Sequence, residues 1–429
     1  MNKEEILYYH RKAQGKTELM SKVLVDNQED LSMYYTPGVS VVSEEIKRNL
    51  DKVYDYTTKS NTIAIISDCT RVLGLGNVGP HAGLPVMEGK AILFKKFGGV
   101  DAIPICVDTT DEEEIIKLVK QISPTFGGIN IEDIESPKSF NISQRLAKEL
   151  DIPVFHDDRQ GTAVVVLAAL MNSLRLVGKK KDANIVINGA GSAGFGITMQ
   201  LVNSGFNNVI VLDKKGAIYK GREADMNGFK AEIADFTNPR GKDGWIEDLV
   251  KGADVLIGAS AEGAFHKDYI TLMNDKPIVF ALANPYPEIS YADAKSAGAY
   301  IVATGRSDMP NQVNNLLAFP GIMRGLLDSR AKKVTYKMLH NASAAIAKSI
   351  GKNLSPGCII PTTLDKNFAT KAVPKIAASV AESAVNEGLA RHSISYTEAK
   401  KRAERLIKRY HRMERSVKKY LIGVEEASK

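Results

Sequence analysis

Short apolar runs, separated by stretches with helical periodicity, recur between residues 60 and 305 of the chain. Runs of this length, rich in isoleucine and valine, are typical of strands buried on both faces of a parallel sheet. We predict strands at 62–67, 103–107, 129–131, 153–156, 184–188, 208–212, 255–257, 278–282 and 300–303. Strands that alternate with helices at this spacing indicate an α/β fold with a doubly wound parallel sheet.

The stretches between these runs carry apolar residues at every third or fourth position, which predicts helices. We expect helices at 111–122, 139–150, 161–177 and 192–204. The third of these is almost wholly apolar and should connect two domains. Residues 1–50 should also be mainly helical, with a break at YTPGVS (35–40), because Pro37 and Gly38 cannot continue a helix. Beyond residue 311 the pattern predicts helices.

These elements predict two α/β domains and a tail, which a chain of 429 residues is long enough to form. Residues 1–155 would make an N-terminal α/β domain. Residues 156–390 would make a Rossmann-like domain with a doubly wound parallel sheet, whose C-terminal helices return to the first domain. Residues 391–429 would be a basic amphipathic helical tail.

The net charge of +7 is confined to this tail. Residues 391–429 contain twelve lysines and arginines and five acidic residues, so the first 390 residues are balanced. Apolar residues of the tail follow helical spacing, at Leu406, Ile407, Tyr410, Met413, Val417 and Leu421. This favours a helix docked on the protein with a solvated basic face, and leaves an acidic partner as the alternative. We therefore expect no nucleic-acid partner.

Cysteine usage and the N-terminus favour a reducing, cytoplasmic location. Cys69, Cys106 and Cys358 show no paired spacing, so a disulfide framework is not expected. The first sixteen residues contain no apolar leader, and the most apolar stretch, 163–171, is about half the length that spans a bilayer. We expect no membrane partner.

The pattern GxGxxG occurs twice, and only the second has the context of a dinucleotide site. The first, at 74–79, is followed by Pro80 and Pro85, so we expect no long helix to begin there. The second comprises Gly189, Ala190, Gly191, Ser192, Ala193 and Gly194. It follows a predicted strand and opens a helix, and Asp213 ends the next strand, where it could bind the adenosine ribose. The alternative is that these glycines only pack a strand on a helix.

Acidic residues follow two predicted strands: Glu132 and Asp133 after one, and Asp157 and Asp158 after another. Oxygen ligands without cysteine suit Mg²⁺ or Mn²⁺ rather than structural zinc. Taken alone, such acids are more often helix caps or solvated turns. His156 alone is more often a packed or capping histidine than a ligand.

Several segments resemble, in one order, motifs of the malic enzyme family. They are YTPGV at 35–39, TRVLGLGNVGPHAGLPVMEGK at 70–90, IED at 131–133, HDDRQGTAVVVLAAL at 156–170, GAGSAG at 189–194, ANP at 283–285 and NNLLAFPG at 314–321. The resemblance covers roughly residues 30–385 and is to the short bacterial form. It implies oxidation of L-malate by a nicotinamide dinucleotide and decarboxylation to pyruvate at a divalent metal. The N-terminal domain would then bind malate and metal.

The resemblance also implies roles for individual residues. Lys90 resembles the general base that takes the C2 hydroxyl proton, and Tyr35 the acid that protonates C3 of the enolate. Without the resemblance Lys90 would be an ordinary surface lysine, and Tyr34 would suit the acid role as well as Tyr35. Arg71 resembles the clamp for a malate carboxylate.

The remaining implied roles concern the metal and the neutral donors. The implied metal ligands are Glu132, Asp133 and Asp158. Asn284 and Asn315, with Asn314 as a neighbour, resemble donors to the substrate and the nicotinamide ribose. Members of the family are usually dimers or tetramers, so a homodimer or higher homo-oligomer is expected.

Two questions stay open at this point. Asp213 would repel a 2′-phosphate and so favours NAD, but four nearby cations could neutralise one and admit NADP: Lys214, Lys215, Lys220 and Arg222. The same motifs would also serve a malolactic enzyme, which keeps its NAD bound and releases lactate. Less favoured alternatives are a dehydrogenase without decarboxylation and a non-catalytic protein that binds an acidic partner through its tail.

Overall fold

The structure is a computed structural model that describes residues 2–72, 74–363, 365 and 367–427, with side chains as far as residue 416. Within these residues the α-helices are α1 (Lys3–Ala13), α2 (Gln28–Tyr34), α3 (Val39–Arg48), α4 (Val53–Tyr56), α5 (Gly79–Gly98), α6 (Glu112–Ile122), α7 (Lys138–Glu149), α8 (Thr162–Val177), α9 (Ser192–Asn203), α10 (Gly228–Phe236), α11 (Ile246–Leu249), α12 (Lys267–Thr271), α13 (Tyr291–Ser296), α14 (Phe319–Asp328), α15 (Tyr336–Ser349), α16 (Val373–Asn386) and α17 (Tyr396–Ala427).

The first sheet has four parallel strands: β1 (Thr62–Ser67), β2 (Asp101–Cys106), β3 (Gly128–Ile131) and β4 (Val154–His156). Their order across the sheet is β2-β1-β3-β4. The chain therefore leaves β1 towards one side and later returns to its other side, which places a topological switch point between β1 and β3. Ligands of open α/β sheets bind at such points, beyond the carboxyl ends of the strands.

The second sheet is formed by β5 (Ile185–Asn188), β6 (Val209–Asp213), β7 (Gly216–Ala217), β8 (Val255–Gly258), β9 (Ile278–Ala281) and β10 (Ile301–Thr304). Their order is β10-β9-β8-β5-β6-β7, parallel except for β7. This sheet has its own switch point, between β5 and β8. The predicted strands agree with the observed ones to within two residues at each end, because short runs rich in valine and isoleucine are typical of buried strands.

Helix α5 contradicts the expectation that no long helix follows the first glycine pattern. It runs from Gly79 to Gly98 despite Pro80 and Pro85. Pro80 lies in the first turn, where the backbone N–H that proline lacks would have no partner within the helix. Pro85 deprives the His81 carbonyl of its usual donor, but His81 and its neighbour Ala82 are exposed, so water can satisfy that group.

Helix α8 is the central helix of the larger core. From Ala163 to Leu170 all its side chains are buried, and it packs against α9 and α15. By length and composition the stretch Asp157–Val177 could cross a membrane, but 67% of its most apolar window is buried inside the protein. It is therefore a buried core helix whose length and apolar composition resemble those of a membrane-spanning helix.

The basic tail docks on the protein as its periodicity predicts, as far as it is described. Ala403 and Ile407 of α17 are fully buried, and α17 packs against α16, α14 and α5. Lys96 of α5 pairs with Glu414 at 3.0 Å. The side chains of Val417 and Leu421, the last two positions of the predicted apolar face, lie outside the described part of the chain.

An ion network that is mostly buried joins the tail helix α17 to α14 and to the residues beside β1. The Asp328 carboxylate on α14 lies 2.8 Å from Arg324 and 2.7 Å from Arg402 of α17. Arg324 and Asp328 are fully buried, and Arg324 also donates to the Asn61 side chain beside β1. The carboxylate is therefore the main compensation for a guanidinium that has no access to water.

Replacing this carboxylate should destabilise the protein strongly. Asp328→Ala leaves the Arg324 guanidinium buried without its ion partner, which costs about 3–5 kcal/mol in comparable cases. We expect the free energy of unfolding in urea to fall by that amount. Asp308→Ala, which removes the exposed partner of Arg306, is the matched control and should change nothing measurable. Equal effects of the two variants would contradict the role given to the network.

Candidate active site

The carboxyl ends of β1, β3 and β4 bring the acidic residues of the sequence to one place. Glu132 and Asp133 directly follow β3, and Asp157 and Asp158 directly follow β4. Backbone hydrogen bonds tie the loops together: the Arg71 N–H donates to the Asp133 carbonyl at 3.1 Å, and the Glu132 N–H to the Ile66 carbonyl at 3.0 Å. The cluster therefore lies at the switch point between β1 and β3.

Three of these carboxylates lie close enough together that they could hold one metal ion. One oxygen from each of Glu132, Asp133 and Asp158 lies within 4.8 Å of the others, the only such group of three in the described part of the chain. Oxygens around one octahedral Mg²⁺ or Mn²⁺ ion lie roughly 3–4 Å apart, so small side-chain movements suffice. Asp133 has a φ of +49°, uncommon for a residue other than glycine, and its N–H donates to Asp158 at 3.2 Å.

Lys90 extends from the middle of α5 into this cluster. Its ammonium donates to Glu132 at 2.9 Å and to Asp157, and it lies 4.0 Å from the centre of the Phe319 ring. Burial lowers the pKa of Lys90, but the charges of Asp157 and Glu132 outweigh burial and raise that pKa above its usual value. Lys90 is thus a buried cation, not the surface lysine of the alternative interpretation.

Asp157 is a residue that the sequence analysis did not assign to the site. Its Oδ2 atom accepts from Lys90 and from the Asn315 amide at 3.1 Å, and its Oδ1 atom is buried with no hydrogen-bond partner among the described residues. A Cβ atom on Gly161 would lie 2.0 Å from Oδ1, so only glycine leaves room for this carboxylate. The DD pair in the sequence was a signal for Asp157, but the resemblance assigned only its neighbour.

The negative charge of the cluster exceeds the positive charge near it. Burial is the largest cause that raises the pKa of Glu132 and of Asp158, and burial with the Asp158 charge raises the pKa of Asp133 to about 7. Lys90 lowers the pKa of all three carboxyl groups, and Arg71 lowers the pKa of Asp133 and Asp158. Four carboxylates and two cations leave an excess of two negative charges, which one divalent cation would balance.

His156 is a packed histidine. It is 1% exposed, and neither ring nitrogen has a hydrogen-bond partner in the described residues. Burial is the largest cause that lowers its pKa well below the usual value, so the ring is neutral.

The second glycine pattern forms the turn between β5 and α9 and the first residues of α9, at the other switch point. A Cβ atom on Gly189 would lie 2.2 Å from the Ala259 carbonyl at the end of β8, and one on Gly194 would lie 1.8 Å from the Gly189 carbonyl. A Cβ atom on Gly191, by contrast, would meet no atom within 4 Å. Ala190 lies in the loop, Ala193 lies in the first turn of α9, and the Ser192 hydroxyl at the start of α9 is buried without a described partner. The loop is packed at its ends and open in the middle, as phosphate binding requires.

The asparagines lie at the ends of the second sheet and beside the carboxylates. Asn284 is exposed in the loop after β9. The Asn314 side-chain oxygen caps the short turn that begins at Asn315, by accepting from Leu316 at 2.9 Å. Asn315 accepts from Thr162 at 3.1 Å while its amide donates to Asp157, so both ends of that side chain are engaged.

Glu288 is a second residue that the sequence analysis missed. It is fully buried and accepts from the Ser260 N–H at 2.8 Å and the Ala283 N–H at 3.0 Å, which joins the loops after β8 and β9. The loop between β1 and α5, which holds Arg71, meets the loop after β9, because a Cβ atom on Gly74 would lie 3.4 Å from Pro285. No sequence pattern marks Glu288.

Tyr35 is not brought to the carboxylates by any described contact. It ends α2, its side chain is 67% exposed, and its hydroxyl makes no hydrogen bond to another described residue. Tyr34 is also exposed, at 48%.

Asp213, at the end of β6, is bound by Arg222 and Lys230.

Comparison with protein families decides what kind of enzyme carries these two sites. Residues 14–147 match the description "Malic enzyme, N-terminal domain", and residues 159–385 match "Malic enzyme, NAD binding domain". The chain belongs to the malic enzyme family. The resemblance of the sequence motifs is thereby confirmed.

Named relatives extend over nearly the whole malic enzyme chain. A bifunctional malic/malolactic enzyme of Bacillus subtilis is 49% identical over 406 residues, covering 94% of this chain and 98% of that protein. An NAD-dependent malic enzyme of Geobacillus stearothermophilus is 49% identical over 381 residues, covering 88% of this chain and 78% of the relative. The crystal structure of malic enzyme from Pyrococcus horikoshii is 45% identical, with a TM-score of 0.93 and coverage of 98% and 99%.

These relatives confirm the predicted fold class and the class of enzyme. The fold is α/β, with a Rossmann-type domain and a helical C-terminal region, and the protein is an NAD(P)-dependent oxidoreductase. Other relatives are named NADP-dependent malic enzymes, so the family by itself does not choose between the two dinucleotides.

The raised carboxylate pKa values predict how this malic enzyme responds to pH and metal. A folded-state pKa of about 7 for Asp133 means that the folded protein holds a proton which the unfolded chain has lost above about pH 4. Holding this proton stabilises the folded protein relative to the unfolded chain, and the stabilisation is lost as pH rises through 7. The metal-free protein should therefore unfold at a lower temperature at about pH 7.5 than at about pH 5.5. Metal binding needs the deprotonated carboxylates, so Mn²⁺ affinity should rise over the same range.

Calorimetric titration with Mn²⁺ and thermal unfolding measure both effects. Asp133→Asn should weaken Mn²⁺ binding by at least about tenfold and flatten its pH dependence. The matched control is Glu135→Gln, which removes a half-exposed carboxylate beside the site and should leave Mn²⁺ affinity unchanged. Undiminished Mn²⁺ binding by Asp133→Asn would exclude that residue from the candidate metal site.

Proposed function

We propose that the protein oxidises L-malate with NAD or NADP and decarboxylates the product to pyruvate and CO₂, with Mg²⁺ or Mn²⁺ as the required ion. The observation that carries this proposal is the position of the Lys90 ammonium, which donates to Glu132 of the three-carboxylate cluster and to the neighbouring Asp157. A cation-binding group next to a buried lysine supplies both functions that a 2-hydroxy acid needs, binding of the oxygens and removal of a proton.

The proposed ligands are Glu132, Asp133 and Asp158, whose hard oxygen donors fit Mg²⁺ or Mn²⁺. When bound, the ion would act as a Lewis acid toward the 2-hydroxy acid. Arg71 is exposed next to the cluster, where its planar guanidinium can clamp the free carboxylate of malate. Asn284, Asn314 and Asn315 would orient the substrate and the nicotinamide ribose.

Lys90 would take the proton of the C2 hydroxyl group as hydride leaves C2. Burial would make it a suitable base, but the Glu132 and Asp157 charges hold its proton. Engagement of Glu132 as a metal ligand would weaken its hold on the ammonium, which lowers the Lys90 pKa in the direction that a base requires. Asp157, anchored by Asn315, is then a positioning residue that keeps the ammonium in place.

We further propose that the dinucleotide lies along the turn and first helical residues formed by Gly189, Ala190, Gly191, Ser192, Ala193 and Gly194, with Asp213 near the adenosine ribose. The open space over Gly191 supports close approach of the phosphates to the backbone. The adjoining loops at Gly74 and Pro285 support transfer between the two sites, since hydride transfer needs contact between the reacting carbons.

The first fifty residues support a homodimer or higher homo-oligomer. Helices α1, α2 and α3 contain no buried residue, although they carry large apolar side chains such as Leu7, Leu31 and Val41. An exposed apolar surface of this extent is typical of an interface between subunits. Tyr35 lies on the same segment, so the assembly that covers the segment would also fix the position of the proposed acid.

We propose that the domains divide at residues 155/156 and 390/391, that the enzyme is cytoplasmic, and that neither nucleic acid nor membrane is a partner. The three cysteines are free thiols, which supports a reducing location.

Malolactic activity is a second candidate function. The observation in its favour is the Bacillus subtilis relative, which is named a bifunctional malic/malolactic enzyme.

An assay with L-malate, Mn²⁺ and each dinucleotide tests the reaction. Lys90→Ala should lower the rate of hydride transfer by about 10²–10⁴-fold, because the base is lost, while Lys96→Ala on the exposed side of α5 is the matched control. Pyruvate with free reduced dinucleotide supports the malic reaction; lactate without it supports the malolactic one. Full activity of Lys90→Ala would refute the proposed base.

Tyr35→Phe should separate the last step from the first, because it removes only the hydroxyl group. With malate deuterated at C2, hydride transfer should retain its isotope effect while pyruvate formation slows. Tyr34→Phe is the matched control and should behave as the parent protein. If Tyr34→Phe slows pyruvate formation and Tyr35→Phe does not, Tyr34 is the acid.

The proposed interface is tested by sedimentation. Val41→Asp places a charge on the exposed apolar face of α3 and should shift the protein towards monomer. Leu272→Asp puts the same charge at an exposed leucine of the second domain and should leave the assembly unchanged. A Val41→Asp protein with the parent's sedimentation coefficient would exclude this face.

A further inference from the structure

The segment that follows β6 is organised around Asp213, and its geometry bears on which dinucleotide the protein takes. In Rossmann-type folds the acidic residue at this strand end accepts hydrogen bonds from the adenosine ribose hydroxyls, which selects NAD. That role requires a carboxylate with free acceptor positions. A carboxylate has about four such positions, two on each oxygen.

All four positions on Asp213 are occupied from within the protein. Oδ1 accepts from the Lys215 N–H at 2.8 Å and from Arg222 at 2.9 Å. Oδ2 accepts from Arg222 at 2.5 Å and lies 2.8 Å from the Lys230 ammonium. A ribose hydroxyl could bind here only by displacing one of these donors.

The donors on Asp213 are themselves held in place. Arg222 is 9% exposed and also donates to the Gly216 and Ala217 carbonyls, at 3.2 Å each. Lys230 also donates to the Asp225 carbonyl at 2.7 Å and to its carboxylate at 2.9 Å. Burial raises the pKa of Asp213, but the hydrogen bonds from Arg222 and Lys230 outweigh burial and lower that pKa to about 2. The carboxylate therefore remains ionised and paired.

Two lysines next to Asp213 are left facing solvent. Lys214 and Lys215 are exposed, and Lys214 has only a long ion pair, at 3.9 Å, with Asp225, a carboxylate that Lys230 binds more closely at 2.9 Å. From 213 to 230 the segment has five cations and three acidic residues, a net charge of +2. Asp213 is neutralised by its own partners, so the field at this strand end is positive.

We propose that the protein recognises the 2′-phosphate of NADP through Lys214 and Lys215, and that Asp213 holds Arg222 and Lys230 in place instead of binding the ribose. This inference rests on the proposed function, because it assumes that the dinucleotide lies along the 189–194 loop. It reverses the preference for NAD that the charge of Asp213 alone suggested. A phosphate dianion paired with exposed ammonium groups gains charge-assisted hydrogen bonds that NAD cannot make.

Direct binding to the full-length protein tests the proposal without any turnover. Calorimetric titration with NADP and NAD should show NADP bound at least about tenfold more tightly at low salt, with the advantage falling as salt rises. Adenosine 2′,5′-bisphosphate should likewise bind more tightly than adenosine 5′-monophosphate. The double variant Lys214→Gln/Lys215→Gln should lose at least about tenfold in NADP affinity and keep its NAD affinity within about twofold.

The matched control is Lys220→Gln, which removes an exposed cation of the same segment that lies 3.9 Å from Asp235 on α10. It should leave both affinities unchanged; an equal loss in NADP affinity would show only a general effect of charge and overturn the proposal. Asp213→Asn should keep its NAD affinity, and a clear loss would show that Asp213 does bind the ribose. If that variant fails to fold, the lysine variants still decide.

The outcomes separate this inference from the proposed function. Binding of NAD with NADP at least tenfold weaker refutes the role of Lys214 and Lys215 and leaves the dinucleotide site intact. Binding of neither dinucleotide refutes both.

Discussion

Buried negative charge at the carboxyl end of the first sheet is the constraint on which the rest of the site depends. Glu132, Asp133, Asp157 and Asp158 meet there because β3 and β4 are neighbouring parallel strands that end at the same edge. Unpaired buried carboxylates are costly, and their raised pKa values express that cost. Lys90 offsets part of it, and a divalent ion would offset the remainder.

Neutral side chains also donate hydrogen bonds to these buried carboxylates. Asn130 donates to Glu132 at 2.8 Å and Asn315 donates to Asp157 at 3.1 Å, which satisfies oxygens without adding charge. Since Asn315 follows the second sheet while Asp157 follows the first, this contact also joins the two halves of the site. A site assembled in this way places its charged groups before the substrate arrives, which is the condition for electrostatic catalysis.

The two switch points of the fold have opposite electrostatic character. The first gathers more carboxylates than cations and suits a divalent ion with a 2-hydroxy acid. The second has an open glycine loop, and beyond β6 an excess of lysine over acid, so it suits a phosphate-bearing dinucleotide. Meeting of the loops at Gly74 and Pro285 puts these two environments side by side. Under the proposed function, this arrangement would let one chain bring an anionic cofactor into contact with a metal-bound substrate.

The sequence by itself determined the elements and the motif positions. β1 was predicted at its observed limits, 62–67, and the loop at 189–194 was assigned from its glycines, because local periodicity and backbone freedom depend on adjacent residues only. Helix α5 was predicted wrongly, because Pro80 and Pro85 were treated as helix breakers although Pro80 lies in the first turn and the region around Pro85 is exposed. Strand β7 and helices α10 to α13 were not predicted. The resemblance supplied Lys90, Glu132, Asp133 and Asp158, which the structure brings together.

Only the tertiary structure decided how these residues are partnered. Asp157 and Asn315 are 158 positions apart, so nothing local could reveal their hydrogen bond. Asp213 has the motif position of a ribose acceptor, yet Arg222 and Lys230 fold back onto both its oxygens. Tyr35 has the motif of a catalytic acid, yet it lies on an exposed segment. Residue type fixes what a side chain can bind, whereas its pKa and free acceptor positions depend on neighbours that only the folded chain supplies.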